Sequence, residues 1–367
     1  MESQLCIFCN WKLGPLISYL DFLRNLDHNI IRVYVDKRYL TSKNNPGFDQ
    51  THCDYLEKEI IPNYDVKLHG EPFENLPSLP DIIFEDRKFL KNRPDFFFSR
   101  RQKEMKVHLL EGLKIDHRKL LVHEIGYYPW HKTFHLGRGG VFSESRLYKL
   151  TENDLKDQPV YEEKIEGGIK DLNWGGSKDI SMFGGSFAYV PLQTTDEHKR
   201  NMYSRYEQNN QKFVEFVDDI VPDEYTLLIK EHPAMPPEKY VQYGSLSKRC
   251  LNVSNLNFSV HDLINESEFV VAINTTTVVE AIAMGKKVFS YGDEVFCNKG
   301  LTYHKVYNSR KFYRAIDKPL PNLKKNNINK KFISALIDRC VIRQKTDDPS
   351  YVKNHFWNSE LHKPEEN

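Results

Sequence analysis

Polar residues directly follow four apolar runs of the 367-residue chain. Each run has the composition of a strand, so the polar residues fall where a strand ends. They are Glu124 after "LLVH", the turn 193–196 after "AYVPL", the triplet 230–232 after "TLLI", and the turn 274–276 after "VVAI". In a parallel sheet with helical crossovers, ligands bind beyond the carboxyl ends of the strands. The four groups therefore predict a single binding or catalytic site.

The residue types in these groups suit a ligand that carries a phosphate. His232 precedes Pro233, so its imidazole sits at a rigid strand end, where it could hold a phosphate oxygen or protonate a leaving group. The Asn-Thr-Thr turn 274–276 opens a predicted helix, where free N–H groups and hydroxyls can hold a phosphate. Glu280, one turn further, could accept hydrogen bonds from ribose hydroxyls.

Each of these residues also has an ordinary structural explanation, which the sequence leaves open. A single histidine at a strand end is more often structural, and Asn and Thr are good helix caps. Asp196 precedes a predicted helix and could simply cap it. Glu280 could be an exposed helical glutamate. Only the convergence of the four strand ends favours chemistry over structure.

The elements that would position these residues alternate between strand and helix. The opening reads "QLCIFC", "LISYLDFLRNL" and "IIRVYVD", which is one βαβ unit. From residue 184, strands "SFAYVPLQ", "YTLLIK", "CLNVS", "FVVAIN" and "KVFSY" alternate with helices, one of them capped by Ser259. Alternation of this kind predicts parallel sheets. Positions 129–183 show little periodicity and are predicted to hold the linker.

Length and composition narrow the possible classes. A chain of 367 residues exceeds one core of about 250–300 residues, so two domains are the default expectation. The formal charge, 52 − 51 = +1, gives no basic stripe for nucleic acid. No run approaches the roughly 18 apolar residues of a membrane span, and no signal-like start is present, so we expect a cytoplasmic protein.

The six cysteines do not form a metal motif. Only Cys6 and Cys9 are closely spaced, and they fall in a predicted buried strand without a second pair or nearby histidines. We therefore predict free thiols and no metal.

A family resemblance covers roughly a third of the chain. It is carried by "FAYVPLQTTD", "LLIKEHP" and "VHDLINESEFVVAINTTTVVEAIAMGKKVFSYGDEVFCNKGLTYH". These motifs resemble the bacterial capsule polysaccharide synthesis proteins, whose members include retaining β-Kdo transferases that use CMP-Kdo. Upstream, "VHEIGYY" resembles that family's E-x-G strand end. The E-x-G and His-Pro elements also resemble sialyltransferases that use CMP-activated acid sugars.

Both resemblances imply the α/β GT-B fold, with two Rossmann-like domains facing each other across a cleft and no metal or other cofactor. The predicted boundaries are 1–180 for an acceptor-side domain, 181–310 for a donor-binding domain, and 311–367 for a helical segment and tail. The implied partners are CMP-Kdo and a saccharide or glycolipid acceptor. Peripheral contact with membrane-bound assembly machinery at the inner face is a further expectation.

The resemblance also implies roles for single residues. Asp196 would be the nucleophile that forms a covalent Kdo adduct, with Glu197 as the alternative because the "QTTDEH" stretch aligns imperfectly. Glu124 would be the base that activates the acceptor, and His232 would act on the departing phosphate. The predicted donor-binding residues are Gln193, Lys230, Asn274, Thr275, Thr276 and Glu280.

Three other functions remain open on the sequence. An inverting transferase would use Glu124 alone as base and leave Asp196 as a helix cap. A non-catalytic polysaccharide assembly subunit would keep the fold without turnover. A nucleotide-sugar epimerase ranks last, because the N-terminal Gly-rich dinucleotide fingerprint is missing.

Overall fold

The computed structural model describes residues 146–171, 180–194, 209–318 and 327–339, with single-residue gaps at 184 and 234. Outside these ranges it describes short strands between residues 4 and 138, residues 342–343, and a few neighbouring positions. Within these parts of the chain, no helix is long and apolar enough to cross a membrane.

The chain divides into two compact units. The first unit comprises Met1–Gly126, Thr133–Ser145 and Arg339–Asn367, and the second comprises Tyr127–Lys132 and Arg146–Asp338. The division predicted from sequence, at residues 180 and 310, differs from this one. The difference arises because residues near 160 bond to residues near 335, a pairing that the linear sequence does not reveal.

The contacts that join these distant segments lie between two helices, α2 (Glu162–Asp171) and α7 (Ile328–Arg339). Lys330 Nζ lies 2.7 Å from a carboxylate oxygen of Glu162. Just before α2, Gln158 donates a hydrogen bond of 2.7 Å to Asp338. Residues expected in the N-terminal domain and in the tail therefore pack together in the second unit.

The sheet of the first unit has seven described strands in the order β13-β6-β5-β4-β1-β2-β3. Strand β6 runs antiparallel to β5 and to β13, and the other pairings are parallel. The strands are β1 (Gln4–Phe8), β2 (Asn29–Val35), β3 (Val66–Leu68), β4 (Ile82–Asp86), β5 (Leu120–Ile125), β6 (Thr133–Arg138) and β13 (Ile342–Arg343).

The sheet of the second unit has six described strands in the order β12-β11-β10-β7-β8-β9, with parallel pairings. They are β7 (Phe187–Pro191), β8 (Thr226–Lys230), β9 (Cys250–Asn252), β10 (Phe269–Ala272), β11 (Lys287–Ser290) and β12 (Tyr303–His304). In both units the first strand is central and the fourth lies beside it, which is the Rossmann order. The predicted α/β fold with two Rossmann-like units is confirmed.

The remaining helices are α1 (Arg146–Lys149), α3 (Asn210–Ile220), α4 (Val260–Glu266), α5 (Thr277–Ala283) and α6 (Ser309–Ile316). Local sequence explains their ends. The Ser259 hydroxyl accepts a 2.9 Å hydrogen bond from the backbone N–H of Asp262, as the predicted cap requires. Gly285, at φ +73°, follows α5 in the left-handed conformation that glycine adopts most readily.

The stretch 129–183 is more ordered than its weak periodicity predicted. It contains β6, α1, α2 and a short 3₁₀ helix, Ile180–Phe183. Helix α2 escaped prediction because it carries two isoleucines and a Gly-Gly pair, which lowers helix propensity. The second glycine is needed for packing: a Cβ on Gly168 would lie 2.4 Å from the ring of Tyr128.

Candidate functional site

A pocket of about 160 Å³ opens at the carboxyl edge of the second sheet. Its walls come from the ends of β7 and β8 and from the starts of α4 and α5. The lining residues are Tyr189, 191–192, 230–233, Val260, 275–277 and Glu280. Strand β7 lies between β8 and β10, where the strand order reverses, and this is where ligands bind in open α/β sheets.

Five of the nine predicted site residues line this pocket. They are Lys230, His232, Thr275, Thr276 and Glu280. Gln193 and Asn274 lie buried beside it, where the Gln193 amide donates a 3.5 Å hydrogen bond to the Asn274 carbonyl. Their positions indicate support of the pocket wall.

The structure does not test the two predicted catalytic carboxylates. Asp196, with its alternative Glu197, lies outside the described residues. Glu124 belongs to the first unit, where its backbone lies in β5 opposite His135. The roles of both residues therefore stay predictions.

The charged triplet after β8 divides between the pocket and the fold. The Glu231 carboxylate is buried and accepts a 2.8 Å hydrogen bond from the backbone N–H of Val241. Lys230 and His232, on either side of it, are half-buried and line the pocket. Successive side chains of an extended chain point in opposite directions, which explains the separation. Two nitrogen-bearing side chains thus line the pocket.

Lys230 is positioned by a backbone carbonyl. Its Nζ donates a 2.8 Å hydrogen bond to the Phe258 oxygen, just before α4. Burial lowers the pKa of Lys230. Because an ammonium partly removed from water is attracted more strongly by an anion, this lysine is suited to a phosphate.

The Asn-Thr-Thr turn is held by tight packing against the strand β11 side of the sheet. A Cβ on Gly292 would lie 2.9 Å from Cβ and Cγ of Asn274, so the close approach requires glycine. Thr276 is the N-cap of α5, yet its side chain makes no capping hydrogen bond. Side-chain capping therefore does not explain the presence of threonine at position 276, which lines the pocket.

Glu280 is buried, with 2% of its surface exposed, so the alternative explanation, an exposed helical glutamate, is wrong. Every residue from Val278 to Ala283 is buried, which makes α5 a core helix. Among the described residues, Glu280 Oε1 has no hydrogen-bond partner. Burial raises the pKa of this carboxyl from 4.5 to about 8. It is a buried polar group at the pocket wall, able to bond a ligand hydroxyl.

We expect Glu280→Gln to change how stability depends on pH. The folded-state pKa is raised, so between pH 4.5 and about 8 the folded protein holds a proton that the unfolded chain has released. Stability is fully present below this window and is lost as the pH rises through it, by up to ~1.4 kcal/mol per pH unit. Urea unfolding of both proteins across the window should show that loss in the wild type and a flatter profile in the variant.

The matched control for this experiment is Glu163→Gln, which removes an exposed carboxylate from α2. Its profile should follow that of the wild type. Equal profiles for the Glu280 variant and the wild type would contradict a protonated Glu280 in the folded state.

Sequence reasoning missed Tyr189 and the pair Tyr127 and Tyr128. Tyr189 lines the pocket, and its pKa is raised by burial and by the nearby charge of Glu280. Residues two apart on a strand point to the same side, so Tyr189 shares a side of β7 with Pro191 at the strand end. That spacing could have revealed it. Tyr127 and Tyr128 are buried in the second unit, where the Tyr127 hydroxyl donates a 3.2 Å hydrogen bond to Glu294.

Asp293, Cys297 and His304 form a side-chain cluster that does not line the pocket. His304 Nε2 lies 3.1 Å from Asp293, and its Nδ1 lies 3.5 Å from the Cys297 sulfur. Burial raises the pKa of Cys297 to about 12. Since the two ring nitrogens face different partners, the cluster is a hydrogen-bonded chain. Cys297 and Cys250 are free thiols, as predicted for them.

A family comparison identifies the segment that holds the pocket. Residues 175–341 match the family model described as "Capsule polysaccharide biosynthesis protein". This segment is similar to the capsule polysaccharide biosynthesis family. It contains all the residues that line the pocket, and the resemblance predicted from sequence is thereby confirmed.

Solved structures resemble the chain at low sequence identity. A β-Kdo 2,7 transferase, KpsC of Thermosulfurimonas dismutans, is 15% identical over 91% of this chain and 90% of its own, with a TM-score of 0.48. A KpsC β-Kdo 2,4 transferase of the same organism is 14% identical over 77% and 87%, with a TM-score of 0.46. MnaA of S. aureus, in a structure with UDP, is 13% identical over 99% and 97%, with a TM-score of 0.36. No curated protein sequence matches the chain significantly.

Proposed function

We propose that this protein is a glycosyltransferase that moves Kdo from CMP-Kdo to a saccharide or glycolipid acceptor in capsule or O-antigen polysaccharide synthesis. The observation that carries the proposal is the meeting of Lys230, His232 and the 275–277 turn in one pocket at the strand-order reversal. Basic groups and hydroxyls suit a phosphate, and the buried Glu280 suits ribose hydroxyls. Together they match a sugar nucleotide.

The proposed reaction begins with departure of CMP. The bond between the anomeric carbon and the phosphate oxygen breaks, and the oxygen keeps the electron pair. Lys230 and His232 stabilise the negative charge that develops on the phosphate, which is the contribution expected of preplaced cations and donors. Positive charge develops on the sugar at the same time and requires a carboxylate nearby.

Departure of CMP is the first of two displacements, which together give retention of configuration. The Asp196 carboxylate attacks the anomeric carbon and forms a covalent glycosyl-enzyme intermediate. Glu124 takes the proton of an acceptor hydroxyl, and the resulting oxygen displaces Asp196. Glu197 is the alternative nucleophile. Because each displacement inverts the anomeric centre, the product keeps the configuration of the donor.

Thermal shift with free nucleotides tests the donor class. CMP should raise the melting temperature, and UDP or GDP should raise it much less. At a concentration of 100 times its dissociation constant, a ligand stabilises the folded state by about 2.7 kcal/mol, which is readily measured. Lys230→Met should reduce the CMP shift, whereas Lys239→Met, at an exposed position outside the pocket, should not. A larger shift with UDP than with CMP argues against a CMP-sugar donor.

Incubation with CMP-Kdo separates the alternatives. A transferase releases CMP slowly by donor hydrolysis and faster with an acceptor, whereas an assembly subunit binds the donor without releasing CMP. The anomeric configuration of the product distinguishes the retaining from the inverting mechanism. A cytoplasmic location for this reaction is part of the proposal.

A further inference from the structure

Helix α6 and the residues directly after it carry a cluster of exposed basic side chains, which we call the basic face. It consists of Arg310, Lys311, Arg314 and Lys318, all exposed, whereas Phe312 and Ala315 are buried. Arg310, Lys311 and Arg314 lie within an arc of about 100° on the helix, since each residue turns it by about 100°. These four cations lie within nine consecutive positions, 310–318, although the formal net charge of the whole chain is only +1.

The basic face is not neutralised by ion pairs within the described part of the chain. None of the ion pairs found there includes a residue of the basic face. Other lysines of the unit do have acidic partners, as Lys305 has Asp293 at 2.7 Å. The acidic residue nearest in sequence to the basic face is Asp317, which directly follows the helix. The positive charge is therefore available to an external anion.

The basic face is rigidly supported and is accompanied by exposed tyrosines. The Phe312 ring stacks on Phe289 of β11 with centroids 4.0 Å apart, which fixes the helix to the sheet. Tyr313 is 48% exposed and Tyr307 is 37% exposed. Tyrosine favours membrane–water interfaces, because its ring is apolar and its hydroxyl bonds water and headgroups.

We propose that the basic face docks the protein on a bilayer of anionic phospholipids. Clustered Lys and Arg are attracted to negative headgroups, and interleaved tyrosines add interfacial contact. An exposed helix face is convex and suits a flat surface, whereas saccharide chains and small ligands bind in concave sites. This surface docking is independent of the proposed donor chemistry, because it involves none of the pocket residues.

Vesicle co-sedimentation tests the proposal. The purified protein should bind vesicles of phosphatidylcholine mixed with phosphatidylglycerol more tightly than vesicles of phosphatidylcholine alone. R310Q/K311Q/R314Q should weaken binding to the mixed vesicles by roughly 100-fold, at about fivefold per basic residue near the surface. Added salt should weaken wild-type binding as well. Tyr313→Ser should weaken it less than the triple change does.

The matched control is K212Q/K239Q/K248Q, which removes the same charge from other exposed positions of the second unit. It should bind mixed vesicles like the wild type, and both triple variants should keep the wild-type melting temperature. Equal losses in the two triple variants, or equal wild-type binding to both kinds of vesicle, would overturn the proposal. Binding of soluble heparin through the basic face without vesicle binding would overturn it too, in favour of an acidic polysaccharide partner.

Discussion

Turnover by the Asp196→Asn variant is expected to fall by about 10⁴-fold or more, since removal of one residue of a nucleophilic constellation costs about 10⁴–10⁶-fold. Asparagine lacks the negative charge needed to attack the anomeric carbon. As a helix cap, however, asparagine is about as good as aspartate, so the stability of the fold should be nearly unchanged. CMP release and the melting temperature, measured on the same preparation, separate the two roles.

Mass spectrometry gives the direct measurement for the nucleophile. Wild-type protein incubated with CMP-Kdo should gain the mass of one Kdo residue, and peptide mapping should place it within residues 193–198. Asp196→Asn should show no adduct. The matched control is Glu197→Gln, which should keep both adduct and turnover.

Other outcomes of that experiment are equally informative. An adduct on Glu197 would keep the mechanism and move the nucleophile by one residue. Normal turnover in Asp196→Asn would identify a helix cap, and an inverted product without any adduct would contradict the two-displacement mechanism.

His232→Ala is expected to lower kcat by about 10²–10³-fold, which is the usual loss when a group that stabilises developing negative charge is removed. His232 is half-buried and lines the pocket at the end of β8. Since the charge on the phosphate develops mainly in the transition state, kcat should fall more than the affinity for CMP. Steady-state kinetics and CMP thermal shift provide the two values.

The matched control for His232 is His261→Ala on α4. His261 is also half-buried and lies 3.4 Å from the Asp262 carboxylate, but it does not line the pocket. Its kcat should stay near that of the wild type. Unfolding of His232→Ala at the assay temperature would instead support a structural histidine.

The local features of the fold could be predicted because their causes lie within a few residues. Ser259 caps α4 through the N–H of Asp262, three positions along. Runs such as "TLLIK" and "FVVA" have the apolar composition of buried parallel strands, and they form β8 and β10. Weak local signals failed for the same reason: α2, with its Gly-Gly pair, is stabilised by partners distant in sequence.

The burial of Glu280 could be suggested, but not proved, by the local sequence. It is the one charged residue in "TTTVVEAIAMG", and a helix that is apolar on all sides is a core helix. That pattern could have predicted a buried carboxyl. Its place in a pocket beside Tyr189, however, depends on β7 and α5 being neighbours in space, ninety residues apart in the chain.

The sequence by itself determined most of the strands and helices of the second unit and the polar residues at the strand ends, because hydrophobic period, caps and turns act over short stretches of chain. The family motifs added the expected chemistry. Only the tertiary structure decided which strand ends meet, as Gln193 and Asn274 do, and which segments share a unit, as Glu162 and Lys330 do. These pairs are 81 and 168 residues apart, and contacts at such separations are set by how whole elements pack.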